Sequence, residues 1–345
     1  MRVLFTGADG YIGALLGLYL IEHGIDAVGL DTGFYRQGWL YPMGGARPAV
    51  VTKDLRDINA EDLKGFDAIA HLAELSNDPL GQQDPGLTHE INHGGSVRLA
   101  RLAREAGIKR FVYMSSCSVY GVGMPDQILD EQSPVNPQTA YAECKAKVEH
   151  DVSAMAGDDF APCFLRNATA YGASPRQRFD IVLNDLCGLA WTTKQIKLLS
   201  DGSPWRPLVH ALDMCQAVHL SLTAPADSIR GQIFNVGSNA QNYRVIDIAR
   251  IVANEFPGCE LIVGEPSADN RSYRVNFDKI GRVLPSFATR WTAESGARQM
   301  HEMFKRIAMT AEDFRAAPYT RLKMLTKHRQ SGLLDDKLFW TYPAE

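Results

Sequence analysis

Along the first 165 residues, short apolar runs alternate with longer stretches whose apolar positions recur every three to four residues. The runs at 3–6, 27–30, 50–52, 68–72, 110–114 and 163–165 predict strands, and 14–22, 88–106 and 141–155 predict helices. A strand that reads as a continuous apolar run is buried on both faces, and strands separated by helices pair in parallel. The expected architecture is α/β, a doubly wound parallel sheet.

Beyond residue 166 the alternation loosens. Helices are expected at 181–191, 213–222, 245–256 and 294–307, and strands at 196–199 and 232–236. This half reads as a smaller α/β lobe that binds substrate, so the division is 1–165 for the sheet domain and mainly 166–345 for the lobe. No Gly/Ser-rich linker separates the two, so the sheet domain is expected to receive segments near 207–238 as well.

Composition narrows the class without naming it. The 345 residues carry 36 basic and 40 acidic side chains, a net charge of -4, which suits neither a nucleic-acid backbone nor an anionic membrane as partner. No apolar stretch has the length of a membrane span, and the amino terminus lacks a signal-peptide layout. The six cysteines stand at least 19 residues apart, too far for zinc-finger or redox-pair spacing, so no metal is expected. Free thiols in a reducing cytoplasm are the expectation.

The chemistry begins at the first turn, where Gly7, Asp9, Gly10, Tyr11, Ile12 and Gly13 follow a strand and open a helix as G-x-x-G-x-x-G. Glycines there allow backbone N–H groups to approach a pyrophosphate, and the helix start adds partial positive charge. Asp31 closes the second strand 18 residues after Gly13, where a carboxylate accepts hydrogen bonds from an adenine ribose and repels a 2'-phosphate. The pattern is that of a Rossmann domain binding NAD rather than NADP. Tyr141 and Lys145, four apart at a helix start, share one face, and Ser116 ends the fifth strand at the carboxyl edge of the sheet. Such a trio performs hydride-transfer chemistry: an ammonium beside a phenol favours the phenolate, making Tyr141 a general base while Ser116 holds a substrate hydroxyl.

On these residues the chain resembles the extended short-chain dehydrogenase/reductase family, specifically its NAD-dependent nucleotide-sugar epimerases and dehydratases. The resemblance covers nearly the whole chain: the glycine turn, Asp54-Leu55, His71-Leu72-Ala73, Asn92, Ser116, Tyr141-x-x-x-Lys145, Asn167, Arg206 and Arg271. It implies that Asp54, Leu55, Leu72, Ala73, Glu74 and Asn92 serve the cofactor. It implies further that Ser76, Ser118, Asn167, Arg178, Asn184, Arg206 and Arg271 face a nucleotide-diphosphate sugar, and that helices 88–106 and 141–155 pair across a two-fold axis into a homodimer. Leu99, Leu102, Ala103, Val148 and Val152 supply apolar positions on those helices.

Within the family, 4,6-dehydratases look like Thr-Asp-Glu-Val-Tyr-Gly where this chain has Ser116-Cys117-Ser118-Val119-Tyr120-Gly121. No carboxylate stands there, and the form is similar to the 4-epimerases. The 3,5-epimerases place a cysteine where Ser118 falls, so Cys117 is one residue out of register and reads as a buried filler. The expected activity is therefore C4 epimerisation through a transient ketone. A ketosugar reductase, a 3,5-epimerase and a non-catalytic NAD-sensing protein are the rivals. His71, His210 and His219 read as packing histidines, and the loop 33–48 as a lid or an interface.

Overall fold

The computed structural model describes residues 1–76, 78–124, 127–265 and 272–342, without the side chains of 78–80. Seven strands form one parallel sheet: β1 (Arg2–Thr6), β2 (Asp26–Asp31), β3 (Ala49–Thr52), β4 (Ala68–His71), β5 (Arg110–Ser116), β6 (Ala161–Asn167) and β7 (Gln232–Val236). Their order is β7-β6-β5-β4-β1-β2-β3. The chain winds outward from β1 in both directions, so the connections leaving β1 and β4 diverge and open a crevice at the carboxyl ends of the strands.

Alternation along each strand sends side chains to two separate cores. Val3 and Phe5 of β1 pack on one face with Leu16 and Leu20 of the helix Gly13–Glu22 and Met214 and Val218 of the helix Ala211–Thr223. Leu4 points to the other face, with Leu99 of the helix Ser96–Glu105 and Val148 of the helix Ala140–Ser153. Leu99, Ala103, Val148 and Val152 are thus buried in the chain's own core, and of the positions expected to pair two copies only Leu102 stays partly exposed. The inward positions follow from helical periodicity itself, since the strongest apolar stripe of a helix faces its own sheet.

The stretch predicted as one helix over 88–106 is interrupted. A π-helical segment, His89–Gly95, precedes the α-helix from Ser96. Two causes are local: Ser96 Oγ donates back to the carbonyl of Asn92, and Gly95 lets Leu55 come so near that a Cβ would meet Leu55 Cδ2 at 2.9 Å.

The second lobe gathers short strands, among them Thr169–Tyr171, Trp205–His210 and Asn242–Arg244, with the helices Val182–Thr193, Val245–Glu255 and Ala293–Ile307 around a core of its own. The carboxyl-terminal part does not remain there. Leu325, Leu334 and Leu338 pack against Phe34, Leu75, Leu87 and Ile91 of the sheet half. No helix among the described residues is long and apolar enough to cross a membrane, and all six cysteines are free.

Candidate active site

One cavity runs along the crevice from the glycine turn, past Asp31, Asp54 and Leu55, to Ser116, Tyr141 and Lys145. At its start the glycines are required by space. Gly7 sits at φ +76°, and a Cβ there would meet Ala73 N at 3.0 Å; one on Gly13 would meet Gly7 O at 2.0 Å. Gly10, Tyr11 and Ile12 also line the wall, and Tyr11 Oη donates to the carbonyl of Gly172 at 2.7 Å, tying the turn to the second lobe. Asp31 accepts from the backbone N–H groups of Asp9 (3.0 Å) and Gly33 (2.8 Å). Burial, followed by the neighbouring Asp9 carboxylate, pushes Asp31 up to about 6.

Beside the turn, a chain of hydrogen bonds sets the Leu72-Ala73 wall. The backbone N–H groups of Leu72 and Ala73 both donate to Thr6 Oγ1, whose own proton then goes to His71 Nδ1 at 2.6 Å. His71 Nε2 therefore carries the hydrogen and donates to Ser96 Oγ at 2.8 Å. His71 is fully buried, and burial with the Lys145 charge pushes it down to about 3, so it stays neutral. The packing role expected of it holds, as it does for His210, which is stacked on Trp291 at 4.1 Å and pushed down to about 4 by burial.

At the far end, Thr139 caps the helix Ala140–Ser153 by accepting from Ala142 N, which places Tyr141 and Lys145 on its first turns. Lys145 is buried, with Nζ 5.3 Å from the Tyr141 ring centroid and donating to the carbonyl of Met114. Its counter-ion is Glu74: Oε2 lies 2.7 Å from Lys145 Nζ, and Oε1 accepts from the Tyr113 hydroxyl. Burial acts to lower the Lys145 pKa, but the Glu74 carboxylate, together with Tyr141 and Glu149, outweighs it and holds the ammonium above its ordinary value. Ser116 Oγ accepts from Ser118 N at 3.1 Å, leaving its proton to donate into the cavity. Ser118 Oγ and Asn167 Oδ1 are buried without a hydrogen-bond partner among the described residues, and both residues line the cavity.

The remaining expected residues divide. Ser76 and Arg178 line the cavity and bond one another (Nη1 to Oγ, 3.2 Å), while Arg178 also pairs with Asp180 at 2.8 Å. Asn184 does not face the cavity. Its side chain is fully buried, accepting from Gly172 N and donating to Tyr11 Oη and the carbonyl of Arg178, so it positions wall residues. Asn92 likewise clasps Leu75, donating to its carbonyl and accepting from its N–H. Asp9 is turned to Arg176 and Arg36. Arg206 donates to the carbonyl of Trp205 and is not among the residues lining the cavity. Arg271 lies outside the described residues.

Two contributors lie outside the candidate site residues read from the sequence. Arg176, buried, donates to the carbonyls of Tyr35 and Arg36 and stacks on Trp39, which pins the 33–48 loop to the second lobe. Arg321, far along the chain, lines the cavity.

A family model described as the NAD-dependent epimerase/dehydratase family matches residues 3–237. The chain belongs to that family. Among curated relatives of this NAD-dependent epimerase/dehydratase, a UDP-glucose 4-epimerase of Mycolicibacterium smegmatis is 32% identical over 256 residues, 70% of this chain and 78% of the relative. A dTDP-D-glucose 4,6-dehydratase of Mus musculus is 27% identical over 264 residues, covering 72% of this chain and 71% of that one. Among solved structures, MoeE5 in complex with UDP-glucose and NAD superposes with a TM-score of 0.77 at 25% identity, over 90% of this chain and 100% of the other. The cofactor of the family is NAD, and this cavity fits it: glycines where a Cβ would collide, a helix start beyond them, and a buried carboxylate at the end of β2.

Proposed function

We propose that this enzyme interconverts the C4 epimers of a nucleotide-diphosphate sugar through a transient 4-ketone. Tyr141, beside the Lys145 ammonium, takes the proton of the C4 hydroxyl and later returns it, while Ser116 donates to the same oxygen and holds it in line. Bound NAD supplies the hydride acceptor and donor for this chemistry. Asn167 Oδ1 and Ser118 Oγ offer unfilled hydrogen-bonding capacity to the sugar.

The observation that carries epimerisation over elimination is the state of the carboxylates. Asp31, Asp54, Glu74 and Asp180 line the cavity, and all four are engaged. Asp31 holds two backbone N–H groups, and the others are paired with Arg56, Lys145 and Arg178. Among the described lining residues none is left to remove a C5 proton and expel a C6 hydroxyl. A proton shift at C3 or C5 through Cys117 is disfavoured as well. The thiol is buried, donates to the carbonyl of Arg166 at 3.2 Å, and has its pKa pushed up by burial.

The substrate is found by screening UDP-, GDP-, CDP- and dTDP-sugars for thermal stabilisation, since a ligand at 100 times its Kd adds about 2.7 kcal/mol. With it, Tyr141→Phe abolishes turnover while NAD and substrate affinity stay nearly intact, because the lost interaction belongs mainly to the transition state. Cys117→Ala is nearly silent; a rate that collapses in that variant points instead to proton-shift chemistry.

A further inference from the structure

One cation lining the cavity, Arg321, has no carboxylate within ion-pair distance of its guanidinium among the described residues. Arg321, the first residue of the helix Arg321–Gln330, is 4% exposed and lines the cavity. Its guanidinium lies 4.0 Å over the Tyr35 ring, and its Nη2 is buried with no hydrogen-bond partner among the described residues. The nearby carboxylates bond other groups than the guanidinium: Asp180 both Nε and Nη2 of Arg178 and the backbone N–H of Arg321, and Asp31 two backbone N–H groups. Burial, with the like charge of Arg178 adding to it, pushes Arg321 down to about 10. A desolvated charge left unpaired is costly, and it is tolerated where a ligand supplies the counter-charge.

The place of Arg321 says which ligand group that is. Tyr35, on which it stacks, follows Asp31 by four residues, and the segment that carries Arg321 is fastened over the same end of the sheet. His328 Nε2 donates to the carbonyl of Phe34 at 2.9 Å, and Trp340 Nε1 to that of Thr32 at 2.7 Å. Arg56, next to Asp54-Leu55, donates to the carbonyl of Lys337 at 2.8 Å, and its guanidinium lies 3.6 Å from the Phe339 ring centroid. Leu325, Leu334 and Leu338 seal this arrangement against Phe34, Leu75, Leu87 and Ile91. Residues 321–340 thus cover the segments that follow β2 and β3, where the glycine turn and Asp31 receive an adenosine diphosphate, while the backbone N–H of Arg321 reaches Asp180 at 3.4 Å, beside Arg178.

We propose that Arg321 binds the pyrophosphate of NAD, making the carboxyl-terminal segment a latch that keeps the cofactor resident. The guanidinium fork suits two phosphate oxygens, and both sides of the crevice then hold the same group: backbone N–H groups of the glycine turn from one, Arg321 from the other. The proposal rests on the NAD site and is independent of which sugar is turned over.

The test compares Arg321→Met and Arg321→Lys with the unaltered full-length protein, using NAD, ADP, adenosine and UDP as probes in calorimetry and measuring the NAD retained through purification. Arg321→Met should weaken NAD and ADP by about 10- to 100-fold, the range of a charge-assisted hydrogen bond, and leave adenosine and UDP unchanged. Retained NAD should fall with it, and Arg321→Lys should recover part of the loss. The melting temperature without ligand should hold or rise in Arg321→Met, because an unpaired buried charge has been removed. A loss confined to UDP would assign Arg321 to the substrate and overturn the proposal. So would equal losses for adenosine and ADP with a lowered melting temperature, which would mark a purely structural role. Failure of the unaltered protein to bind NAD or ADP at all would overturn the cofactor site itself, a result distinct from either.

Discussion

Replacing Glu74 by glutamine removes one negative charge from the catalytic cluster while keeping its shape. Lys145 Nζ lies 2.7 Å from Glu74 Oε2 and 5.3 Å from the centre of the Tyr141 ring. These two distances put the carboxylate at most 8.0 Å from the centre of the phenol ring, where at an effective dielectric of ~20 a unit charge acts with at least about 2 kcal/mol. That equals about 1.5 pH units, and the sign is clear: a carboxylate opposes formation of the phenolate, so its loss eases ionisation. Lys145 keeps its bond to the carbonyl of Met114 in the variant, and the ionising Tyr141 and the Glu149 carboxylate still favour its charged form. Glu74→Gln should therefore lower the pH at which Tyr141 ionises by about 1 to 2 units. Tyrosinate absorbance followed against pH, with Tyr141→Phe subtracted, reads this without a substrate; the acidic limb of kcat/KM reads it again once the substrate is known. An unmoved limb would show that Glu74 does not reach Tyr141 electrostatically. A limb displaced upward would show that the carboxylate acts chiefly by keeping Lys145 charged, and either result refutes the reasoning.

Other expectations follow from the same geometry. Asp31→Ala should weaken NAD by about 10- to 100-fold and narrow its preference over NADP, as the ribose acceptor at the end of β2 is lost; tighter binding of NADP by the unaltered protein would contradict the assignment. His71 is held neutral, its pKa depressed to about 3 from the ordinary 6.5, so the stability it contributes is present above pH 6.5 and lost as pH falls toward 3. The full difference is about 5 kcal/mol. The stability advantage of the parent over His71→Gln in urea unfolding should accordingly shrink through that window, and a constant difference would count against a neutral His71. The family resemblance leads us to propose a homodimer, and a monomeric mass at micromolar concentration by sedimentation or light scattering would overturn it.

The inner strands of the sheet were legible because they are buried on both faces and so read as unbroken apolar runs, and β7 was placed at the residues it occupies; the edge strand β3, apolar in sequence, is exposed along its length. The trio proposed as catalytic was placed for a different reason, since helical spacing alone puts Tyr141 and Lys145 on one face. The helix Arg321–Gln330 was not, because its buried residues are Arg321, Met324, Leu325 and His328, a face with too few apolar positions to show a period. An arginine met singly in a sequence reads as surface charge, which hid Arg321. Asn184 and Asn92 show the converse: a motif position identifies a place in the fold, but whether a side chain meets the ligand or the wall behind it depends on contacts such as those to Gly172 and Leu75. The Glu74–Lys145 pair joins residues 71 apart in the chain, beyond anything spacing can report.

The most direct test of the central claim is the mass of the product. With the nucleotide sugar found by the thermal screen, the enzyme and NAD, mass spectrometry together with absorbance of reduced cofactor should show an isomer of unchanged mass and no net NADH, and the reaction should stop in Tyr141→Phe. A product lighter by one water, or stoichiometric reduction of NAD, would contradict 4-epimerisation.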